Sequence, residues 1–84
     1  RMFRADLTGA VMLDTHLPFA EMRGVNLTGA ILEGANLYNT DLSDAILTDA
    51  DFTGARLRSA VLFGTIQTGT IFTGALMPDN TVHP

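Results

Sequence analysis

The sequence predicts an all-β solenoid, and three observations lead to that fold class. One five-residue unit repeats without a slip across residues 25–59, and the same frame fits the chain from Met2 to Val82. The residue types sort into separate columns of this frame. The spacing within each unit suits a short strand followed by a corner. Repeats of this kind build stacked coils rather than a core that surrounds one centre.

Each unit consists of a small residue, a variable residue, a large apolar residue, a second variable residue and a turn former. Every alanine lies in the small column, and all eight glycines lie in the turn column. The other turn positions hold mostly Asp, Asn and Ser, which also suit turns. The large apolar positions form the central column, in which Gln67 is the one polar residue. We expect Gln67 to lie on the last tier of its wall, where its amide contacts water or backbone groups.

A period of five matches neither a helix nor a plain strand. Within a unit, the small residue and the central residue are two positions apart, so both face the same side of an extended segment. The residues between and after them face the other side. A turn former at the fifth position then allows the backbone to turn a corner. Five residues are therefore predicted to form one wall of a β-helix.

The pattern A-[DN]-L-x-G identifies a resemblance that covers essentially the whole chain. It is seen in Ala5-Asp6-Leu7-Thr8-Gly9 and, with Val in the small column, in Val25-Asn26-Leu27-Thr28-Gly29. This pattern resembles the pentapeptide-repeat family. The resemblance implies a right-handed quadrilateral β-helix, with four walls and about twenty residues in each coil. The chain would then form about four coils, and a strand spacing of about 4.8 Å gives a rod roughly 20 Å tall.

The two ends of the chain differ from the regular middle. We expect one solenoid domain over residues 1–84 that lacks its N-terminal cap, so that a cap, a partner or end-to-end packing covers the first coil. Residues 76–84 are expected to be a C-terminal closing segment. This segment resembles the M-P-D-G-[ST]-x-H phrase that ends many cyanobacterial pentapeptide-repeat proteins, with Asn80 in place of glycine. The resemblance implies a true C-terminal end, a cyanobacterial source, and a thylakoid-associated or cytoplasmic location.

Composition excludes several classes of function. The net charge of −4 argues against general nucleic-acid binding, which requires neutralisation of phosphates by basic residues. The chain has no cysteine, so it forms no disulfide bond and has no thiol chemistry. No apolar run approaches the roughly 18 residues of a membrane span, and no secretory signal pattern is visible.

The polar residues do not form a recognisable catalytic or metal-binding pattern. His16 and His83 lie at opposite ends of the chain and on different walls. Ser43 and Ser59 have no adjacent base. The acidic group within residues 41–51 is expected to be a solvated edge, because a narrow solid rod has no pocket that would shift carboxylate pKa values. We therefore expect no catalytic residue, no cofactor, no metal, no small-molecule substrate and no enzymatic activity.

Two columns that repeat every twenty residues have structural interpretations. Phe52 and Phe72 are expected to stack on each other inside the core. The second column is predicted to be an outward ladder whose hydroxyl groups bond between coils, and it comprises Thr8, Thr28, Thr48 and Thr68.

Outward apolar residues are the candidate protein contacts, because a contiguous exposed patch indicates a contact surface. The first group shares one wall and comprises Val11, Leu13, Ile31 and Ile71. The second group lies at a corner and comprises Phe19 and Tyr38, next to Pro18.

The predicted function is that of a non-catalytic structural or protein–protein interaction module. A rigid rod would present flat walls to a protein partner or assembly, and the cyanobacterial resemblance implies a photosynthetic or thylakoid-associated one by analogy. The alternative hypothesis comes from members of the family that mimic duplex DNA and modulate type II topoisomerases such as gyrase. The acidic charge and the rod shape favour this alternative, whereas the absence of a long acidic column argues against it.

Overall fold

The computed structural model describes residues 2–84, and within them the β-structure consists of short parallel bridges. The described residues contain no helix, and therefore none that is long and apolar enough to cross a bilayer. The parallel bridges always join residues that are twenty positions apart. They form the ladders Asp6–Asn26–Ile46–Ile66, Val11–Ile31–Asp51–Ile71, His16–Asn36–Arg56–Leu76 and Glu21–Asp41–Val61. One coil therefore contains twenty residues and four walls.

Backbone hydrogen bonds join each middle coil to the coils on both sides of it. In the second coil, the Leu27 N–H donates to the carbonyl of Ile46 in the next coil at 2.7 Å. The Asn26 N–H donates to the carbonyl of Ala5 in the preceding coil at 2.9 Å. Because this pattern recurs on every wall, the ladder fixes the register that keeps like positions of the repeat above each other.

Each corner is a four-residue turn with a left-handed residue at its third position. At the corner of residues 7–10, the Ala10 N–H donates to the Leu7 carbonyl at 3.0 Å, and Gly9 has a φ of 70°. A positive φ at this position alone is typical of a type II turn. Residues other than glycine adopt the same conformation at seven corners, which are Arg4, Asp14, Phe19, Asn39, Asp44, Asp49 and Ser59. The left-handed conformation costs about 1–2 kcal/mol for residues other than Gly, Asn and Asp, which here are Arg4, Phe19 and Ser59.

The core lies between the walls of the two middle coils. From residue 22 to residue 57, every side chain of the central and small columns is fully buried. The one polar member of this set is Thr40, whose hydroxyl donates to the Leu17 carbonyl at 2.6 Å. Apolar side chains of the first coil are only partly buried, since no described coil packs below them. Burial therefore depends on having a coil on each side.

The predicted aromatic stack is confirmed. The rings of Phe52 and Phe72 lie 5.4 Å apart between centroids with an interplanar angle of 26°, and both side chains are buried. The predicted position of Gln67 is confirmed, because its side chain is exposed on the last coil. Its amide donates to the Thr65 hydroxyl at 2.7 Å and not to a backbone group, which corrects the expected partner.

The five-residue frame stops before Val82, which corrects the expectation that it reaches that residue. The left-handed corner lies at Asn80 and not at Asp79, and Val82 forms an antiparallel bridge with Leu76. The chain thus folds back, and the His83 N–H donates to the carbonyl of Ala75 at 2.9 Å. The returning segment forms hydrogen bonds with backbone groups of the last wall, which has no described coil above it. Val82 remains 67% exposed.

The prediction that threonine hydroxyls bond between coils is wrong for the two threonines whose bonds are seen. The Thr8 hydroxyl donates to Asp6 Oδ1 at 2.7 Å, and the Thr28 hydroxyl donates to Asn26 Oδ1 at 2.6 Å. These bonds lie within one coil. An acceptor two residues earlier is closer than the next coil, and it also accepts the backbone N–H of the same threonine.

Truncating a leucine in a middle coil should cost more than truncating its equivalent in the first coil. We expect Leu27→Ala to lower the free energy of unfolding by about 2–5 kcal/mol, because it leaves a cavity in a closed core. Leu7→Ala, twenty residues earlier on the same wall, should cost roughly 1 kcal/mol because Leu7 is already partly exposed. Urea unfolding of both variants measures this difference. Equal losses would show that the first coil is as closed as the second.

Removal of the Ser43 hydroxyl should raise the pKa of Asp41 towards its usual value. Hydrogen bonds from the Ser43 hydroxyl and then from the Ser43 N–H hold the pKa of the Asp41 carboxyl below its ordinary value. A lowered native pKa stabilises the fold above the unfolded value of about 3.9, and this stabilisation is lost as the pH falls through the native pKa. Ser43→Ala should therefore be less stable than the wild type at neutral pH, and the difference should shrink below about pH 4.

NMR titration of the Asp41 carboxyl in the wild type and in Ser43→Ala measures the pKa directly. Thr28→Val is the matched control, because the Thr28 hydroxyl bonds to Asn26, which does not titrate. An Asp41 pKa that is unchanged in Ser43→Ala would contradict this account.

Candidate functional site

The outer surface consists of four walls that differ in chemistry, and each is named here by its most distinctive residues. The threonine wall carries Asp6, Thr8, Asn26, Thr28, Ile46, Thr48, Ile66 and Thr68. The apolar wall carries Val11, Leu13, Ile31, Glu33, Asp51, Thr53, Ile71 and Thr73. The arginine wall carries His16, Pro18, Asn36, Tyr38, Arg56, Arg58, Leu76 and Pro78. The mixed wall carries Phe3, Glu21, Arg23, Asp41, Ser43, Val61 and Phe63.

The apolar wall brings together part of the first predicted contact group. Val11 is paired directly with Ile31 through a parallel bridge, and Val11 is 66% exposed. Leu13 lies two residues after Val11, in the following turn, and is also exposed. Ile71 is exposed on the same wall, but Asp51 stands between it and Ile31 in the ladder. The apolar surface is therefore concentrated on the first two coils.

The second predicted group forms an aromatic pair at the corner that follows the arginine wall. The rings of Phe19 and Tyr38 are 5.5 Å apart between centroids and are perpendicular, which is a favourable edge-to-face arrangement. Phe19 is 67% exposed and has a φ of 62°. A bulky aromatic residue rarely adopts this backbone conformation, and most equivalent corners hold Gly, Asn or Asp. Strain at an exposed aromatic residue makes it a candidate for function rather than for stability.

A shallow groove of about 250 Å³ lies on the arginine wall beside this aromatic pair. Its lining residues are Asn36, Tyr38, Arg56, Arg58 and Leu76. The Tyr38 N–H donates to Asn36 Oδ1 at 3.1 Å, which fixes the orientation of the Asn36 amide. Within residues 2–84, neither Arg56 nor Arg58 forms an ion pair with a carboxylate. The groove therefore presents an aromatic ring and unpaired cations to the solvent.

A larger depression of about 550 Å³ spans the first three coils on the mixed-wall side. It is lined by Phe3, Arg4, Arg23, Gly24 and Asp44. The Arg23 guanidinium lies 3.6 Å from the Asp44 carboxylate, and both side chains are more than half exposed. A surface ion pair of this kind contributes about 0–1 kcal/mol. The depression is polar and open, so it does not desolvate any of its charged groups.

Three carboxylates of the described chain are stabilised in their ionised form by neighbouring hydroxyl and amide groups. Hydrogen bonds from Thr8, Ser43 and Thr81 lower the pKa of Asp6, Asp41 and Asp79 respectively. A lowered pKa keeps a carboxyl group ionised at neutral pH, which is the opposite of what a general acid requires. No group of three or more His, Cys, Asp or Glu side chains within residues 2–84 is placed to hold a metal ion.

Sequence reasoning missed two exposed apolar residues at the end of the mixed wall. Phe63 is 81% exposed, and Val61 is also exposed. The amide N–H groups of Leu62, Gly64, Gln67 and Gly69 form no backbone hydrogen bond within the described chain. The available signal was that Val61 and Phe63 occupy the two outward positions of one unit, as Val11 and Leu13 do.

The family comparison matches most of the chain. The model of the family described as pentapeptide repeats, in eight copies, matches residues 1–37 and 20–58. No match was found among curated proteins.

Solved structures similar to this chain come from cyanobacteria and a plant. HetL, a pentapeptide repeat protein involved in heterocyst differentiation regulation in the cyanobacterium Nostoc, is 34% identical over 93% of this chain, with a TM-score of 0.91. Rfr23, a pentapeptide repeat protein from the cyanobacterium Cyanothece, is 29% identical over 95% of this chain, with a TM-score of 0.55. A pentapeptide repeat protein from the Arabidopsis thaliana thylakoid lumen is 24% identical over 98% of this chain, with a TM-score of 0.58.

The similar region is a different share of each of these proteins. It covers 36% of the HetL chain, 65% of the Rfr23 chain and 68% of the Arabidopsis chain. This chain thus spans about a third of the length of HetL. The family model, the twenty-residue ladder and the solved structures agree, and the chain belongs to the pentapeptide-repeat family.

Proposed function

We propose that the chain is a non-catalytic interaction module in which a rigid β-helix presents the apolar wall to a protein partner. The observation that carries this proposal is the direct pairing of Val11 with Ile31 on an outward face, where Val11 and Leu13 are exposed. Val11 and Leu13 are not part of the buried core of the described chain, so burial in that core does not explain their apolar character. Adjacent exposed apolar residues favour contact with another protein.

The same proposal includes the finer geometry of the scaffold. We infer that the coils wind in the right-handed sense and that residues 2–84 complete about four of them, as the family resemblance implies and as twenty residues per coil supports. The cyanobacterial origin of HetL and Rfr23 supports testing photosynthetic or thylakoid-associated assemblies first as partners.

The ladders give little support to a DNA-mimicking role. No ladder of paired outward residues holds more than two acidic side chains, and the Glu21–Asp41–Val61 ladder alone reaches two. A continuous acidic column would be needed to imitate the phosphate spacing of duplex DNA. The uneven acidic surface therefore leaves protein contact through apolar residues as the better-supported function.

Co-purification of a triple variant tests the proposed function. Val11→Glu, Leu13→Lys and Ile31→Glu should abolish binding of the partner, because they place charges on the contact surface and leave the buried columns unchanged. The matched control is Ile46→Glu, Thr48→Lys and Ile66→Glu on the threonine wall, which makes the same change in net charge. Affinity purification followed by sedimentation velocity measures whether a complex forms.

The proposal predicts one complex with the wild type and the control, and none with the triple variant. Binding of the same partner by all three proteins would contradict the assignment to the apolar wall. A monomeric wild type without any partner would contradict the interaction function itself.

A further inference from the structure

We infer that the arginine wall is a second docking site, which binds an extended protein segment that carries carboxylates at alternate positions. This inference rests on the proposed interaction function, but it concerns a different wall and a different chemistry. Its determinants are Arg56, Arg58, Asn36 and the aromatic pair Phe19–Tyr38.

The groove on this wall is lined by hydrogen-bond donors that the described chain leaves unused. Asn36 Oδ1 accepts the N–H of Tyr38, so the NH₂ group of the Asn36 side chain remains free to donate outward. Arg56 and Arg58 are both exposed and make no ion pair within residues 2–84. A guanidinium group has five donors and no acceptor. An occupant of this groove must therefore supply acceptors, and a carboxylate satisfies both the charge and the forked geometry of arginine.

The charge distribution favours the same occupant. Counted with its following corner, the arginine wall has two arginines and one aspartate, and it alone has an excess of basic residues. The apolar wall has three acids and no base, and the threonine wall has two acids and no base. The positive wall is thus isolated on a chain of net charge −4. This arrangement attracts a short acidic segment but repels a long polyanion such as a nucleic acid.

The spacing of the two arginines defines the shape of the segment. Arg56 forms the bridge of its wall, and Arg58 lies two residues later at the second position of the following turn. Both side chains line the same groove. Alternate side chains of an extended peptide leave one face about 6.6 Å apart. Two long arginine side chains that line one groove can reach carboxylates at this spacing, so a Glu-x-Glu segment lying along the wall would give each guanidinium one carboxylate.

The aromatic pair supplies the apolar contact beside the cations. Tyr38 occupies the position one coil before Arg58, and the adjacent Asn39 N–H bonds to the Arg58 carbonyl at 3.0 Å, which fixes the two coils relative to each other. Phe19 packs edge-on against Tyr38 and remains largely exposed. Tyrosine and arginine dominate the binding energy at protein interfaces. A role in binding also explains why a strained corner holds phenylalanine.

NMR titration with a short peptide tests this inference. The probe is acetyl-Ser-Glu-Val-Glu-Ser-amide, and the comparison peptide has glutamine in place of both glutamates. The glutamate peptide should shift the amide signals of Tyr38, Arg56 and Arg58 and the side-chain NH₂ signal of Asn36, whereas the glutamine peptide should not. High salt should weaken the binding, because the contacts are exposed ion pairs.

Variants with matched charge separate this site from general attraction. Arg58→Glu should weaken the glutamate peptide by about tenfold or more, since it replaces a charge-assisted contact by a repulsion. Arg23→Glu on the mixed wall makes the same change in net charge and should leave the affinity within about twofold. Phe19→Asn should weaken binding and preserve the corner, because Asn39 holds the equivalent corner of the next coil. Urea unfolding establishes that each variant is folded.

Several results would overturn the inference. They are an absence of chemical-shift changes at millimolar peptide, an equal loss of peptide affinity in Arg58→Glu and Arg23→Glu, chemical-shift changes centred on Val11 and Ile31, or tighter binding of a single-stranded oligonucleotide of equal charge.

The triple variant of the apolar wall distinguishes the two proposals. If the triple variant loses the partner as expected and the peptide does not bind, only the proposal for the arginine wall is wrong. If the peptide binds and no partner depends on the apolar wall, only the proposal for the apolar wall is wrong.

Discussion

The parallel hydrogen-bond ladder between residues twenty positions apart is the constraint on which the rest of the structure depends. It places each central residue above the equivalent residue of the preceding coil, so that large apolar side chains stack on each other and small ones fill the remaining space. Leu27 and Leu47 are fully buried for this reason, although each coil is too thin to bury anything alone. The corners only need to turn the chain, which a left-handed residue achieves.

Because the ladder and the inward columns determine the fold, the outward positions are free to vary. The backbone ladder tolerates Val11, Arg56 or Asp41 at the same position of the repeat, because these side chains point away from the core. The four walls therefore share one backbone and differ in surface chemistry. A flat, rigid wall loses little conformational entropy when it binds a partner, which suits the proposed role in protein contacts.

The interior could be predicted from the sequence, since the repeat frame assigns the buried columns and the twenty-residue coil that the family resemblance implies assigns the Phe52–Phe72 stack. The reversal at Asn80 could not, because it depends on which backbone groups the last wall leaves unbonded. The bonds from threonine and serine hydroxyls to acceptors two residues earlier were also missed, because they depend on side-chain geometry within one turn. The role of the outward apolar residues as contacts stays a prediction. The Arg56–Arg58 groove was not predicted, because it depends on the fixed amide of Asn36, which the sequence does not reveal.

Residue-resolved hydrogen exchange tests the stacked ladder most directly. The amides of Leu27, Leu32 and Leu42 donate to the next coil and should exchange slowly. Those of Leu62 and Gln67 have no backbone acceptor within residues 2–84 and should exchange rapidly under the same conditions. This contrast between equivalent positions of one repeat is the predicted result. Uniformly rapid exchange, or protection of Leu62 and Gln67 equal to that of the middle coils, would contradict the account.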